Sequence, residues 1–185
     1  MLATPQLDTA RLILKPLESP DAVQIQHSFP RWEIVRYLVD TVPWPYPPGA
    51  AQHYVDNIAL AASARGEGWF WTLRRKAAPE TLIGVICLMD TEDNNRGFWL
   101  VPEWQGQGLM SEACAAVNDF WFEHLDRTVL RAPKASVNLK SVSISQRGGM
   151  RLVRLQKGRY VCGELETELW EMTRDEWRHR KNTAG

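Results

Sequence analysis

One stretch decides the fold, GFWLVPEWQGQGLMSEA at residues 97–113. It is typical of a buried strand that passes through a proline-containing bend into a glycine-spaced turn, and the turn opens a proline-free helix that we expect over residues 108–125. Such a junction directs free backbone N–H groups and the positive end of the helix dipole at one point. Because Gly106 and Gly108 carry no Cβ, an anion can approach that backbone closely. The stretch therefore predicts a phosphate or pyrophosphate site.

The same stretch excludes two common kinds of phosphate site. It contains no GxxxxGK[ST] pattern, so a P-loop nucleotidase is excluded. Ser111 stands where the dinucleotide fingerprint GxGxxG has its third glycine, and the strand–helix alternation of that fold is missing. Taken alone, the stretch leaves one alternative, a tight strand-to-helix turn without a ligand.

The rest of the chain shows strand and helix patterns without an internal repeat or a linker. Apolar alternation and turn residues predict strands over residues 10–17, 68–75, 81–89, 95–101, 128–133, 151–157 and 164–172. Helices are predicted from Ser19 as the N-cap, from Pro30, over 50–64, over 108–125 and from Asn138 to Gly148, with a polar tail after the last strand. This order predicts a mixed α+β fold with a partly antiparallel sheet. The proline-rich segment 41–49 forms either a rigid cover over the core or one wall of a substrate pocket.

Composition and charge exclude several classes of protein. The 185 residues carry 22 basic and 22 acidic side chains and 44% are hydrophobic, so we expect one folded domain without extensive disorder. Zero net charge argues against a dedicated nucleic-acid or membrane-surface binder, and we expect neither a signal peptide nor a membrane helix. Three scattered cysteines argue against a disulfide framework and fit the cytoplasm, and four dispersed histidines predict no metal site.

Gln105-Gly106-Gln107-Gly108-Leu109-Met110 resembles the acetyl-CoA signature Q/R-x-x-G-x-G/A of the GNAT acyltransferases, and the wider sequence resembles their RimJ/RimL-like branch. The other landmarks of that branch are matched in order by Thr9–Leu17, Pro43-Trp44-Pro45, Ile83-Gly84, Ser111-Glu112-Ala113 and the segment from Asn138 to Met150. The resemblance covers residues 8 to 177. It departs from the family pattern at Met110, Gly148 and Met150, which bears on cofactor affinity and acyl-chain choice more than on the fold.

The resemblance implies a single N-acetyltransferase domain over residues 1–185, with its core at about 8–177. The implied fold is the GNAT fold, an α+β fold with a central mixed, mostly antiparallel sheet flanked by helices and with acetyl-CoA bound where the sheet splays apart after the fourth strand. The implied activity is direct transfer of an acetyl group from acetyl-CoA to a primary amine in a ternary complex, in the cytoplasm and without a metal. The acceptor would be a protein N-terminus, ribosomal proteins included, or a small-molecule amine. A monomer and a homodimer are both compatible with it.

The same resemblance implies which residues bind the cofactor. Backbone N–H groups of the signature would anchor it, those of Gln105, Gly106, Gln107, Gly108, Leu109 and Met110. Leu100 and Val101 would supply backbone contacts to the pantetheine and to the thioester oxygen. Asn138 would bond the pantetheine arm through its side chain or would only cap its helix, and both could hold.

Two catalytic roles follow from the resemblance and from the chemistry of amines. Ser141 would lie near the CoA sulfur and pass it a proton, the alternative being an exposed helix serine. A base should help to deprotonate the amine, and Glu166 is favoured for this role. The other candidates for the base are Asp90, Glu92, Asp93, Glu164 and His53.

Two other classes of function remain open. A non-catalytic acyl-CoA-binding sensor or scaffold would keep the cofactor site without turnover. An RNA-associated protein is favoured only by charge patterning, since residues 127–163 carry nine Lys or Arg and no acid, whereas 164–176 carry six acids. The phosphates of CoA would account for the basic run as well.

Overall fold

Two antiparallel sheets form the centre of the molecule in the computed structural model, which describes residues 3–184. The first sheet has the order β1-β2-β3-β4-β5, with strands Leu7–Asp8, Leu12–Pro16, Gly68–Arg75, Ala78–Met89 and Arg96–Leu100. The second has the order β6-β8-β7, with strands Val129–Ala135, Gly163–Thr173 and Arg151–Tyr160 for β6, β8 and β7. The prediction of a mixed α+β fold with a mostly antiparallel sheet is confirmed.

Helices cover the sheets and connect them. The N-terminal helices are α1 (Ala22–Ser28) and α2 (Trp32–Val35), followed by a helical run of α3 (Ala50–His53), a π-helical segment (Tyr54–Ala59) and α4 (Leu60–Arg65). The helix after the glycine turn is α5 (Leu109–Asp119), which continues as a π-helical segment (Phe120–His124). The last two helices are α6 (Leu139–Arg147) and α7 (Arg174–Ala184).

Three local predictions are wrong for identifiable reasons. The first N-cap is Glu18, because its backbone N–H pairs with the carboxylate of Asp21 in a capping box that Ser19 cannot form. The strand expected over residues 81–89 begins earlier, at Ala78, where β4 already pairs with β3. The expected polar tail is helix α7, which docks because Trp177 stacks on Phe122 at 5.3 Å between ring centroids.

The core lies on both faces of the first sheet, which explains why β3 is buried at every residue from Gly68 to Arg74. On one face Trp71 packs edge-to-face against Phe120, with ring centroids 5.5 Å apart. On the other face Trp99 of β5 contacts Phe29, which follows α1, at 5.2 Å between centroids. Gly84 lets β4 and β5 approach, since a Cβ there would lie 2.4 Å from the carbonyl oxygen of Trp99.

The two sheets meet at one junction and then separate. The Asn95 N–H donates to the Arg131 carbonyl at 2.7 Å, and the Arg131 N–H donates to Asn95 Oδ1 at 2.8 Å. Past this junction, the described residues show no further backbone hydrogen bond between β5 and β6. Pro133 suits the open edge of β6, because a proline has no N–H to leave unpaired there. The opening is the splay that the family resemblance implies. It follows β5, which is the fourth strand if the two-residue β1 is not counted.

Candidate active site

A large cavity occupies the splay. Its volume is about 1650 Å³, and its walls come from β5, β6, the glycine turn, α6 and the segment between α2 and α3. A pocket for one drug-sized molecule has roughly 300–1,000 Å³, so this cavity has room for an extended cofactor and an acceptor together. Within the proline-rich segment, Thr41–Pro43 and Tyr46–Gly49 line the cavity, which favours the pocket-wall interpretation over a plain cover.

The glycine turn has the geometry of an anion site. Gly106 and Gly108 have φ angles of +74° and +79°, a conformation that side-chain-bearing residues rarely adopt. None of the backbone N–H groups of residues 106–111 donates to an acceptor within the described part of the chain, and nothing lies within 4 Å of the Cβ position of Gly106. The Gln105 N–H differs from its neighbours, because it donates to the Pro102 carbonyl at 3.1 Å. The free donors therefore begin one residue later than the sequence indicates.

Two landmarks of the sequence hold this turn in place. Arg11 donates through Nε to Glu112 Oε2 at 2.8 Å and through Nη1 to the Gln107 carbonyl at 2.9 Å. Glu112 also accepts from Thr9 and from the Arg11 N–H. Partial burial opposes its ionisation, but these hydrogen bonds outweigh burial and lower the pKa of Glu112. The first turn of α5 is thus fixed to the N-terminal strand pair.

The Gln105 side chain connects the two arms of the splay. Its Nε2 donates to the Leu100 carbonyl at 2.8 Å, and its Oε1 accepts from Lys140 Nζ of α6 at 3.1 Å. Gln105 therefore contributes through its side chain to the spacing of the splay, while its backbone N–H is already used.

Leu100 and Val101 differ in what they offer a ligand. The Val101 N–H donates to the Ile83 carbonyl at 2.9 Å, and the Val101 carbonyl accepts from the Trp104 N–H at 3.1 Å. Antiparallel pairing alternates, so Leu100, which is opposite Gly84, directs its N–H away from β4 and into the splay. Leu100 thus keeps a free donor for a thioester oxygen, whereas the Val101 N–H is already used.

Asn138 and Ser141 both lie at the start of α6 and line the cavity. Asn138 Oδ1 accepts from the Ser141 N–H at 3.4 Å, which confirms the capping role of Asn138. Its amide nitrogen donates no hydrogen bond within the described residues and stays available to a pantetheine arm. Ser141 is buried, so the alternative of an exposed helix serine is wrong.

The structure does not bring Glu166 to the cavity. Its exposed carboxylate accepts from Ser136 Oγ at 3.3 Å and lines a separate surface groove. Among the carboxylates of residues 3–184, only Glu33 lines the cavity, and His53 is the only imidazole that does so. Of the candidates for the base, His53 alone is therefore placed at the site.

Charge pairing divides the basic run at residues 127–163 into two groups. Six of its nine cations form ion pairs, namely Arg127, Arg131, Arg151, Arg154, Lys157 and Arg159. The other three, Lys134, Lys140 and Arg147, have no acidic partner in the described residues, and all three line the cavity. The run therefore supplies positive charge to the cavity and not to a continuous outer surface, which leaves the RNA interpretation without support.

Sequence reasoning missed a buried basic pair beside the splay. Arg96 is 3% exposed and donates to Asn118 Oδ1 at 2.8 Å and to Met150 Sδ at 3.3 Å. Lys134 of β6 is 7% exposed. Side chains alternate along a strand, so Lys134 lies on the same apolar face of β6 as Leu130 and Ala132. This alternation is the sequence signal from which the burial of Lys134 could be predicted.

Metal and membrane features are not found in the described residues. No group of three or more His, Cys, Asp or Glu side chains among residues 3–184 could hold a metal ion. No helix in that range is long and apolar enough to span a bilayer.

Comparisons with known proteins agree with this geometry. Residues 11–151 match the family model described as an acetyltransferase (GNAT) domain. YdaF of Bacillus subtilis (strain 168), provisionally named a ribosomal N-acetyltransferase, is 27% identical over 107 residues, which are 55% of this chain and 58% of that protein. The match thus spans little more than half the length of this relative.

Two solved structures share the fold, each at 16% sequence identity. The ribosomal-protein-S5-alanine acetyltransferase from Vibrio fischeri has a TM-score of 0.79, over 94% of this chain and 98% of that one. RimJ of Mycobacterium smegmatis, in complex with CoA-disulfide, has a TM-score of 0.77, over 98% of this chain and 95% of that one.

Proposed function

The chain belongs to the GNAT acetyltransferase family, and on that premise we propose that it transfers an acetyl group from acetyl-CoA to the α-amine of a protein N-terminus, directly and within a ternary complex. The observation that carries the proposal is the row of unpaired N–H groups at residues 106–111, which opens onto a cavity that continues through the splay. A pyrophosphate at the turn and a pantetheine arm along β5 would occupy one continuous path.

The residues present fit such a cofactor. The N–H groups at 106–111 would bind the pyrophosphate, and Lys140 and Arg147 would add positive charge for the phosphates. The Leu100 N–H would stabilise the thioester oxygen as it becomes negative, because a fixed donor aimed at developing charge lowers the barrier. When bound, acetyl-CoA supplies the activated acyl group.

The scarcity of carboxylates and imidazoles in the cavity favours an α-amine as acceptor. An α-amine has a pKa of about 7.7–8.0, whereas a lysine ε-amine has about 10.4. A substantial fraction of the α-amine is therefore neutral near pH 7.5 without help, and a lysine side chain would need a strong base. The described lining of the cavity has one carboxylate, Glu33, and one imidazole, His53, and both are exposed. It therefore suits an α-amine acceptor better than a lysine ε-amine.

Direct transfer fits the state of the cysteine that lines the cavity. Burial is the main cause that raises the pKa of Cys87 to about 11, so its thiol stays protonated at neutral pH. A thiol in that state is a poor nucleophile and would not carry the acyl group in a covalent intermediate.

Acceptor peptides provide the test. Peptides with different N-terminal residues, each also prepared with its α-amine blocked and with an internal lysine, are incubated with acetyl-CoA, and the products are located by mass spectrometry. We expect acetylation of the free α-amine, no reaction of the blocked peptide, and slower reaction of small-molecule amines. The ribosomal-protein N-termini suggested by the names of the relatives belong in the first panel, and their use would imply a cytoplasmic location. Acetyl-CoA binding without release of CoA thiol on any amine would instead identify a sensor.

A further inference from the structure

Lys134 is a buried lysine without a counter-ion. Within residues 3–184 its ammonium forms no hydrogen bond and no ion pair, and its Nζ lies 4.2 Å from the centroid of the Phe98 ring. The charged and titratable groups that face it are Arg96 on β5, Cys87 on β4 and Cys114 on α5, and none of them is a carboxylate. A lysine is rarely buried without a partner, so the position invites a functional explanation.

The state of Lys134 follows from these surroundings. Burial, and then the positive charge of Arg96, lower the pKa of Lys134 to about 7. Its ammonium and amine forms are therefore both populated near neutral pH, which is the condition for efficient proton transfer.

The geometry of the splay places Lys134 beside the path of the thioester. Lys134 lies three residues past Arg131 of the junction, and Phe98 lies three residues past Asn95, so the two side chains meet level with each other across the opening. The free Leu100 N–H follows two residues further along β5, about 7 Å on. Leu100 and Lys134 line the same cavity, so a thioester whose oxygen accepted from the Leu100 N–H would have its sulfur within reach of the Lys134 side chain.

We propose that Lys134 is the acid that protonates the CoA sulfur as it leaves. This inference rests on the proposed acetyl transfer and names the proton donor of that reaction. The neutral acceptor nitrogen attacks the thioester carbon, the C–S bond breaks, and its electron pair goes to sulfur. The Lys134 ammonium gives a proton to the sulfur, and the acetylated nitrogen loses one proton, which returns through water to Lys134. Atoms and charge balance without a further reactant.

Lys134 is better suited to this step than Ser141. A thiol has an ordinary pKa of about 8.5, so a proton moves downhill from a lysine that titrates near 7 to a departing thiolate. A serine hydroxyl is far less acidic and could only relay a proton.

Ionisation of bound CoA tests the contact without turnover. The thiolate of CoA is followed by ultraviolet absorbance as a function of pH, with desulfo-CoA complexes as the blank. We expect the thiol of CoA bound to the wild-type chain to titrate below that of free CoA, because the Lys134 ammonium stabilises the thiolate; the shift stays below about one unit, since Lys134 itself loses its proton near pH 7. Lys134→Arg, which stays charged, should lower the thiol titration further, and Lys134→Met should remove the effect. If the CoA thiol titrates at the same pH in the Lys134→Met complex as in the wild-type complex, the proposal is overturned.

Kinetics test the proton transfer itself. Lys134→Met should lower kcat by about 100-fold with little change in the KM for acetyl-CoA, a loss within the range of general acids. Wild-type kcat should fall on the alkaline side of neutrality, and Lys134→Arg, which keeps the charge but cannot give up its proton, should lose that fall. Lys157→Met is the matched control on the exposed edge strand and should behave as wild type. If Lys134→Met binds CoA tightly and its kcat is unaltered, the role of Lys134 is refuted but the proposed acetyl transfer is not. If the wild-type chain does not bind CoA, the proposed function itself is refuted.

Discussion

Replacing Lys134 by methionine should change how the free energy of unfolding depends on pH. In the unfolded chain this lysine has its usual pKa of about 10.4, whereas in the folded chain burial and Arg96 lower the pKa to about 7. Between these two values the unfolded state binds more protons, so the lysine makes wild-type stability rise with pH across this window. The cost of burying the charge is complete below pH 7 and declines as the pH approaches 10.

The size of the effect follows from the linkage relation. A difference of one bound proton changes the free energy of unfolding by about 1.4 kcal/mol per pH unit. Because Lys134 is half protonated near pH 7, the gain between pH 7 and pH 9 is on the order of 2 kcal/mol. Methionine has a similar length and no charge, so Lys134→Met should lack this gain and should be the more stable protein at pH 7.

Urea unfolding at pH 7 and pH 9 provides the measurement. The difference in unfolding free energy between wild type and Lys134→Met is taken at each pH, which cancels every other titrating group, provided that the m-values agree. Lys157→Met, at an exposed lysine, serves as the control and should show no such difference. Equal pH dependence of wild type and Lys134→Met would refute the claim that Lys134 is buried and unpaired.

Four other substitutions probe separate parts of the structure. Gly108→Asp places a carboxylate at the anion turn and should weaken acetyl-CoA binding at least about 100-fold by calorimetry. The control is Gly163→Asp, at a glycine that also has a positive φ but lies in a distant turn, and it should leave binding intact. Ser141→Ala should lower kcat less than about tenfold in a thiol-release assay, and a loss as large as that of a general acid would make the hydroxyl the proton donor. Glu166→Gln should keep kcat within about twofold over the whole pH profile, and a lost ionisation would restore this carboxylate as the base. Trp177→Ala should cost about 3 kcal/mol in urea unfolding, because it empties the contact that docks α7, and an unchanged midpoint would contradict that docking.

Local features of the site could be predicted from the sequence, since they depend on neighbouring residues. The glycine spacing at Gly106 and Gly108 predicts an anion turn, and both glycines have the positive φ that such a turn needs. The position of Asn138 before an amphipathic run predicts a helix cap, and Asn138 caps α6 through its side chain. In each case, the residue type alone restricts the backbone.

Features that depend on register between distant segments could not be predicted. The N–H of Val101 is used by the Ile83 carbonyl, and only the pairing of β4 with β5 shows this. Glu166 is separated from the cavity because β8 directs it towards Ser136, which is 30 residues away in sequence.

The role of Lys134 depends on the same long-range arrangement. Its depressed pKa results from burial against β5 and from Arg96, which lies 38 positions earlier in the chain. Alternation along β6 predicts that the lysine lies on the apolar face. The absence of a carboxylate near it, among the described residues, depends on how distant segments pack and could not be predicted.

A crystal structure of the chain with CoA tests the central claim most directly. We expect pyrophosphate oxygens to accept hydrogen bonds from the N–H groups of residues 106–111, and the pantetheine arm to pass between β5 and β6. We also expect the sulfur to lie beside the Leu100 N–H and within hydrogen-bond reach of Lys134 Nζ. CoA phosphates bound elsewhere on the surface, with the splay empty, would contradict it.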